Sequence, residues 1–216
     1  MSEIYLISNT QSSDPSINNL AVCAIHFNKF TLDISKFQSL IVTSKNAINA
    51  LIYNNIKIDP SLKTYSIGEG SLKACKEAGL KRVYLAKNSH GREFAYEIEP
   101  LLGDEKILYI SAKVTLSGLL DILKEKNITH IVGYENRCLN LEPSKKPPKN
   151  SILIFTSPRN LECFVENFGW DESYRVVSIG ETTSRYLKKY CKDISQSATQ
   201  TLDECIKLAN SLNLTK

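Results

Sequence analysis

The sequence contains one pattern twice, and this internal repeat constrains the fold more than any other feature. The later copy, within residues 152–190, reads ILIFTSPRNLECFVENF and then VVSIGETTSRYLKKY, and the earlier copy reads LIVTSKNAINALIYNN and then YSIGEGSLKACKEAG. In both copies an apolar run ends in Thr-Ser, a helix-patterned run follows, and a strand-like run ends in Ser-Ile-Gly-Glu. Gly68 follows Thr43 at nearly the interval at which Gly180 follows Thr156. The repeat therefore predicts two copies of a β-α-β-α unit.

Each copy places helix N-termini where its strands end. Ser157 before Pro158 has the pattern of an N-cap followed by proline at the first helical position, and Ser44 takes the same place in the earlier copy. Gly68 and Gly180 each close a strand directly before another helical run. Free backbone N–H groups and positive dipole ends favour anions at such positions. Capped helices are also a common structural feature, but their repetition favours a cleft for a ligand with several negative groups.

Length and composition exclude several classes of protein. The 216 residues are enough for one large domain or two small ones, and 42% hydrophobic and 23% charged residues are usual for a soluble globular protein. A net charge of +4 is too small to indicate nucleic-acid binding. The N-terminus lacks a signal-peptide pattern, and no apolar run approaches about 20 residues. We therefore expect neither nucleic acid nor a membrane as a partner.

The metal-ligating residue types are scattered along the chain. The six cysteines include no C-x-x-C pair, and the three histidines form no cluster with ligand spacing. Several cysteines lie at apolar positions, where a free thiol acts as a small hydrophobe. This spacing gives a metal site weak support, and we expect reduced thiols and a cytoplasmic location.

Alternating strands and helices of this length predict an α/β fold with parallel sheets. The middle of the chain has five predicted strands, the last ending at Tyr134, with a helix over 116–126 and irregular chain over 135–150. The later repeat has too few strands for a sheet and needs the N-terminal strand Ile4–Ile7. We therefore predict one domain inserted in the other through two linkers: a discontinuous domain of residues 1–28 and 141–216, an inserted domain of residues 34–134, and linkers at 29–33 and 135–140.

The paired TS…IGEG and TSP…IGETT segments, Tyr134 at the end of its strand and the two chain crossings resemble the uroporphyrinogen-III synthase family. The similarity covers most of the chain and is strongest from 40 to 208. It implies two α/β domains joined by two linkers, with the active site in the cleft between them. It also implies a cyclising hydro-lyase of haem (tetrapyrrole) biosynthesis that needs no metal or cofactor. Its substrate would be hydroxymethylbilane, closed to uroporphyrinogen III with ring D inverted and water lost.

The resemblance also implies roles for individual residues. Tyr134 matches the family's tyrosine at the cleft, and a phenol with a pKa near 10 is a weak acid for the departing hydroxyl; packing at the strand end is the alternative interpretation. Hydroxyl groups of the repeated motifs would donate to substrate carboxylates, cap helices, or do both. The substrate-binding residues implied are Thr43, Ser44, Lys45, Ser66, Gly68, Ser89, Ser111, Lys113, Thr156, Ser157, Gly180, Thr182 and Thr183.

Two segments depart from the family pattern. Ile7 is followed by Ser8-Asn9-Thr10 and a short polar loop, where the family usually has Thr-Arg-Pro and a full helix. Ser111-Ala112-Lys113 stands where an arginine-containing segment is common, so that Lys113 would substitute for the missing charge.

Two other classes of function are compatible with the general pattern. Two α/β lobes on a hinge also describe a binding or sensor module for a small polyanionic ligand. A nucleotide enzyme is less favoured, because Gly68-Glu69-Gly70-Ser71 satisfies neither glycine-rich phosphate motif. For the synthase we expect a monomer.

Overall fold

Strands and helices alternate along the chain in the computed structural model, which describes residues 2–88, 90–115 and 118–214. The strands are β1 (Ile4–Ile7), β2 (Ile17–Leu20), β3 (Cys23–Phe27), β4 (Ser39–Val42), β5 (Lys63–Ser66), β6 (Val83–Leu85), β7 (Ile107–Ala112), β8 (Ile128–Cys138), β9 (Ile152–Phe155), β10 (Arg175–Ser178) and β11 (Ile194–Gln196). The α-helices are α1 (Lys45–Tyr53), α2 (Glu69–Glu77), α3 (Gly91–Ile98), α4 (Leu119–Ile122), α5 (Pro158–Phe168), α6 (Glu181–Leu187) and α7 (Leu202–Leu214). Single 3-10 turns cover Ile34–Lys36, Glu99–Leu101 and Pro143–Lys145.

The chain forms two compact units. The terminal unit contains Met1–Ala24 and Arg137–Lys216, and the central unit contains Ile25–Asn136. The linkers at 29–33 and 135–140 stay a prediction, because the compactness of a unit does not show which residues act as a flexible connection.

The central unit contains a six-stranded sheet in the order β3-β8-β7-β4-β5-β6. Its strands from β4 to β8 pair in parallel. Leu40 and Val42 pack on one face of β4 and Ile41 on the other, so both faces of this strand are buried, as parallel sheets require. From β4 the chain adds β5 and β6 on one side and then β7 and β8 on the other. The switch of direction therefore lies between β4 and β7.

The terminal unit contains a five-stranded sheet in the order β11-β10-β9-β1-β2, with every strand parallel to its neighbours. Its central pair, β1 and β9, comes from opposite ends of the sequence, with Ile4 opposite Ile152 and Ile7 opposite Phe155. The direction of winding changes between these two strands. The predicted α/β fold class, with parallel sheets in two units, is confirmed.

Two elements differ from the sequence prediction. Strand β8 does not end at Tyr134 but continues to Cys138, into a stretch without the apolar alternation that identifies a strand in sequence. The Lys113 N–H donates to the Tyr134 carbonyl and the Leu139 N–H to the Val22 carbonyl, so backbone pairing keeps this stretch extended. Helix α4 is a single turn after Gly118, whose φ of +57° is left-handed; residues 116 and 117 of the predicted helix lie outside the described residues.

The prediction that all thiols are reduced is wrong for one pair. Cys138, at the end of β8, forms a disulfide with Cys163 of α5, with the two Cα atoms 5.0 Å apart. Their separation of 25 residues gave no sign of pairing, because only the fold brings the two elements together. Cys23, Cys75, Cys191 and Cys205 form no disulfide.

Candidate functional site

A cavity of about 340 Å³ lies at the carboxyl ends of β4 and β7, where the winding of the central sheet changes direction. Open α/β sheets bind their ligands in crevices of this kind. Its lining comes from β7 and β8, from the residues that follow β4, β5 and β7, and from the start of α3. It consists of Thr43, Ile67, His90, Gly91, Tyr109, Ser111, Ala112, Val114, Thr115 and Tyr134. Polar tips on an otherwise apolar wall make this the main candidate site of the central unit.

Tyr134 is buried at this cavity, with 6% of its surface exposed. Burial raises the pKa of its phenol, a hydrogen bond with the Ser44 side chain lowers the pKa in part, and the nearby Tyr109 phenol raises it. Phe27 packs against it, with ring centroids 6.4 Å apart. The phenol therefore keeps its proton at neutral pH.

Ser44 has two contacts that together define its role. Its hydroxyl oxygen caps α1 by accepting from the Asn46 N–H at 3.2 Å. The hydrogen bond between the Ser44 side chain and Tyr134 lowers the pKa of the phenol, so this contact stabilises the phenolate form. Ser44 therefore links the start of α1 to Tyr134.

Three side chains form a second group beside Tyr134. The ring of His130 stacks on Tyr109, with centroids 5.2 Å apart, and its Nε2 lies 2.8 Å from the Ser111 hydroxyl. Ser111 donates to the Ala112 carbonyl at 2.8 Å, so it accepts from His130 Nε2–H. Burial lowers the pKa of His130, which favours the neutral ring. The Tyr109 hydroxyl lies 3.4 Å from Thr43 Oγ1.

Tyr109 and His130 were missed by sequence reasoning. A signal existed, since Tyr109 and Ser111 are two positions apart in the apolar strand ILYISA and therefore share one face. His130 is the register partner of Tyr109, but this pairing could not be known before the sheet order.

The structure brings together only some of the predicted residues of the central unit. Thr43, Ser111 and Tyr134 line the cavity, and Ser44 contacts Tyr134. Ser89 lies outside the described residues. The other four do not line the cavity: Lys45 is exposed, Lys113 pairs with Glu135 at 3.4 Å, Ser66 is buried and donates to the Gly68 carbonyl, and Gly68 caps α2.

In the terminal unit, Thr156 and Ser157 lie where β9 ends and α5 begins. Ser157 accepts from the Asn160 N–H at 3.2 Å and caps α5, with Pro158 first in the helix, as predicted. Thr156 Oγ1 accepts from Asn160 Nδ2 at 2.9 Å and donates to Ser8 Oγ at 3.0 Å. These residues form a polar network between β1 and β9, the switch point of this sheet.

The remaining predicted residues lie at the start of α6. Gly180 caps this helix without a side chain, and a Cβ there would approach the Gln200 side chain to 3.3 Å. Thr182 is exposed, whereas Thr183 is 3% exposed. Of the two hydroxyl groups, that of Thr182 is therefore the accessible one.

Within residues 2–88, 90–115 and 118–214, no three His, Cys, Asp or Glu side chains are close enough together to hold a metal ion. Across the same ranges, no helix is long and apolar enough to cross a membrane.

The fold and these sites define a protein of two α/β units with polar crevices at the carboxyl ends of parallel strands. The sequence matches the family described as Uroporphyrinogen-III synthase HemD over residues 23–207. Because the match covers most of the chain, this protein belongs to the uroporphyrinogen-III synthase family. A search of curated protein sequences gave no significant match.

Solved structures agree with this assignment. The chain is similar to uroporphyrinogen-III synthetase from Helicobacter pylori, with 29% identity, a TM-score of 0.83, and coverage of 98% of this chain and 100% of that one. A mutant uroporphyrinogen III synthase from Thermus thermophilus is 12% identical, with a TM-score of 0.55 and coverage of 93% and 91%, and supports the fold alone. The chain is thus an enzyme of haem biosynthesis that forms uroporphyrinogen III from hydroxymethylbilane, and the anion-binding module is not favoured.

Proposed function

We propose that this synthase is a cyclising hydro-lyase in which Tyr134 is the general acid. One observation carries the proposal: Tyr134 is buried at the switch-point cavity, and this burial raises the pKa of its phenol. The phenol therefore keeps its proton at neutral pH while it lines the cavity. This arrangement suits an acid that must protonate a leaving group.

The reaction needs little other covalent chemistry from the protein. The departing hydroxyl of hydroxymethylbilane takes the Tyr134 proton and leaves as water. Attack at the substituted carbon of ring D gives a spiro intermediate, which fragments and closes again with ring D inverted. The proton lost by the closing pyrrole returns to the phenolate. The protein's main contribution is to hold ring D in the geometry for this attack, the entropic part of catalysis.

Four helix N-termini differ in whether a side chain already occupies their first-turn N–H groups, and this decides which of them can bind substrate carboxylates. Helices α1 and α5 begin with Ser44 and Ser157, whose side chains already accept from N–H groups of the first turn. Helices α2 and α6 begin with Gly68 and Gly180, without a hydrogen bond from a capping side chain. Their first-turn N–H groups are therefore the better carboxylate donors.

Side chains supplement these backbone donors. We assign carboxylate contacts to Thr43 and Thr182, which carry accessible or cavity-lining hydroxyls. His90 also lines the cavity, at the start of α3. Ser44 and Ser111 act differently, because the Ser44 side chain acts on Tyr134 and the Ser111 hydroxyl donates to the Ala112 carbonyl.

We also propose that the protein is a monomer, that it is located in the cytoplasm, and that residues 29–33 and 135–140 are the linkers between its two domains. Four cysteines that form no disulfide support a reducing compartment, although the Cys138–Cys163 disulfide is more typical of an oxidising one. Sedimentation velocity tests the monomer, and fractionation of the source cells tests the location.

The activity itself is tested with purified protein and hydroxymethylbilane. We expect consumption of the bilane well above the rate of unassisted closure, with uroporphyrinogen III as product. Consumption at the unassisted rate by folded protein would refute the proposal.

A further inference from the structure

The connection between β1 and β2 is a short loop without a helix. Parallel strands are normally joined by a longer crossover whose helix covers one face of the sheet. Helix α5 packs on one face of this sheet, and Ile7 and Leu20 belong to the core on that face. Tyr5 and Asn18 are register partners in β1 and β2, two positions before Ile7 and Leu20, and therefore lie on the same face. Asn18 is exposed, so this position faces a polar space and not a packed helix.

A cavity of about 550 Å³ occupies this part of the terminal unit. Loop 8–16 and the segment 139–146 contribute its walls together with β1 and β2. Among the described residues that line it there is no Asp or Glu. The polar lining groups that matter here are Ser8, Asn9, Gln11, Asn18, Lys145 and Lys146. Such a set offers hydrogen-bond donors and positive charge.

Ser8 links the cavity to the switch point between β1 and β9. It is 5% exposed, and its hydroxyl oxygen accepts from Thr156 Oγ1 at 3.0 Å and from the Thr10 N–H at 3.1 Å. With both acceptor positions filled, the hydroxyl hydrogen of Ser8 has no acceptor among the residues that the structure describes. A buried hydroxyl of this kind is costly unless a partner is supplied.

The hydrogen bonds behind Ser8 fix its direction. Cys23 donates to Asn160 Oδ1 at 3.0 Å, and Asn160 Nδ2 donates to Thr156, which donates to Ser8. In this series of hydrogen bonds, Cys23, Asn160 and Thr156 each donate to the next residue. The partner that completes the series at Ser8 must be an acceptor, located in the cavity that Ser8 lines.

Lys145 and Lys146 supply the charge. Both are exposed, on the turn Pro143–Lys145 and directly after it. Lys146 also acts on Asp171, where Ser173 is the main cause of the lowered pKa and Lys149 and Lys146 are the smaller ones. At the β1 side of the cavity, the Tyr5 hydroxyl donates to the Glu3 carboxylate at 2.7 Å. An anion is therefore favoured on the lysine side of the cavity.

We propose that this cavity is a binding site for a carboxylate-bearing anion. Ser8 and the amides of Asn9, Gln11 and Asn18 donate to the carboxylate, and the two lysines balance its charge. The carboxylate belongs either to a side chain of the bilane or to a separate small acid. The first source rests on the proposed function, and the second does not.

The test uses the full chain and tricarballylate, a tricarboxylate, as probe. Amide ¹H–¹⁵N spectra are recorded during titration of the wild type, Ser8→Ala, Lys145→Gln with Lys146→Gln, and Lys149→Gln. Lys149 is the matched control, an exposed lysine near the same turn that does not line the cavity. In the wild type we expect saturable shifts of the amide signals of Ser8, Asn9 and Asn18. Binding of tricarballylate should be at least tenfold weaker in the double lysine variant and also weaker in Ser8→Ala. Lys149→Gln should bind the probe as tightly as the wild type.

Turnover of hydroxymethylbilane by the same variants identifies the source. A raised KM with unchanged kcat in the double lysine variant assigns the site to a bilane side chain, and an unchanged KM assigns it to a separate acid. Either result supports the site once the probe binds there. Absence of localised shifts in the wild type, or equal weakening by Lys149→Gln, overturns it. The titration needs no bilane, so it remains decisive even if the wild type lacks synthase activity.

Discussion

The hydrogen bond between the Ser44 side chain and the phenol of Tyr134 lowers the pKa of that phenol, so the residue that caps α1 also acts on the proposed acid. This contact stabilises the phenolate that forms when the acid gives up its proton. It also couples helix capping to catalysis at one position of the repeat. The equivalent cap in the other copy, Ser157, accepts from the Asn160 N–H and serves as an internal comparison.

Tyr134→Phe removes the phenol hydroxyl and keeps the ring. We expect kcat to fall by about a hundredfold, the lower end of the usual range for loss of a general acid, with folding retained. Tyr96→Phe is the control, since Tyr96 is 57% exposed in the same unit. Steady-state kinetics with circular dichroism make the comparison. A Tyr134→Phe rate equal to that of Tyr96→Phe would leave Tyr134 with a packing role.

Ser44→Ala and Ser157→Ala each remove a helix N-cap, and each should lower the free energy of unfolding by about 1 kcal/mol. Only Ser44→Ala should raise the pKa of Tyr134, because it removes the bond that lowers this pKa. Activity falls at alkaline pH as the acid loses its proton, so the alkaline limb of the rate profile should move to higher pH in Ser44→Ala alone.

Phenolate absorbance, measured against the matching Tyr134→Phe backgrounds, reports the same shift directly. An identical titration in wild type and Ser44→Ala would show that Ser44 does not act on Tyr134.

The Cys138–Cys163 disulfide closes a loop with a separation of 25 residues. In the chain-entropy account, reduction of a loop of this size lowers the free energy of unfolding by about 3 kcal/mol. Urea unfolding with and without reductant measures this, and Cys138→Ser should abolish the dependence on reductant. Cys191→Ser should preserve it, because Cys191 is free. Six alkylatable thiols in the unreduced, denatured protein would contradict the disulfide.

The domain boundaries are tested with fragments. Residues 34–134 contain β4 to β7 and most of β8, so we expect cooperative unfolding and dispersed amide resonances. Residues 25–136, which add most of β3, should be more stable, since β3 pairs with β8. A disordered 34–134 fragment beside a folded 25–136 fragment would move the boundary to the edges of the central unit.

Local patterns predicted those features that depend on neighbours in sequence. The repeat predicted the parallel α/β units, and strand Ile4–Ile7 was predicted with its observed limits. The predicted N-caps at Ser44 and Ser157 are confirmed. The contact of His130 with Ser111 and the pairing of Cys138 with Cys163 join distant segments. Their formation depends on sheet order and helix placement, which no short pattern in the sequence specifies.

The extension of β8 beyond Tyr134 has a similar cause. The residues Glu135 to Cys138 are held by backbone pairing and not by an apolar face, so periodicity contained no signal for them. In the site, Tyr134 could be predicted through the family resemblance, whereas the effect of Ser44 on the pKa of Tyr134 required the structure.

The most direct test of the account is the isomer composition of the product over time. Hydroxymethylbilane is incubated with wild type, Tyr134→Phe or buffer, and the products are oxidised to porphyrins and separated by chromatography. We predict almost only isomer III with the wild type, isomer I in buffer, and a rising share of isomer I with Tyr134→Phe as unassisted closure overtakes the slowed enzyme. Isomer I from folded wild-type protein, at the rate seen in buffer, would contradict the account.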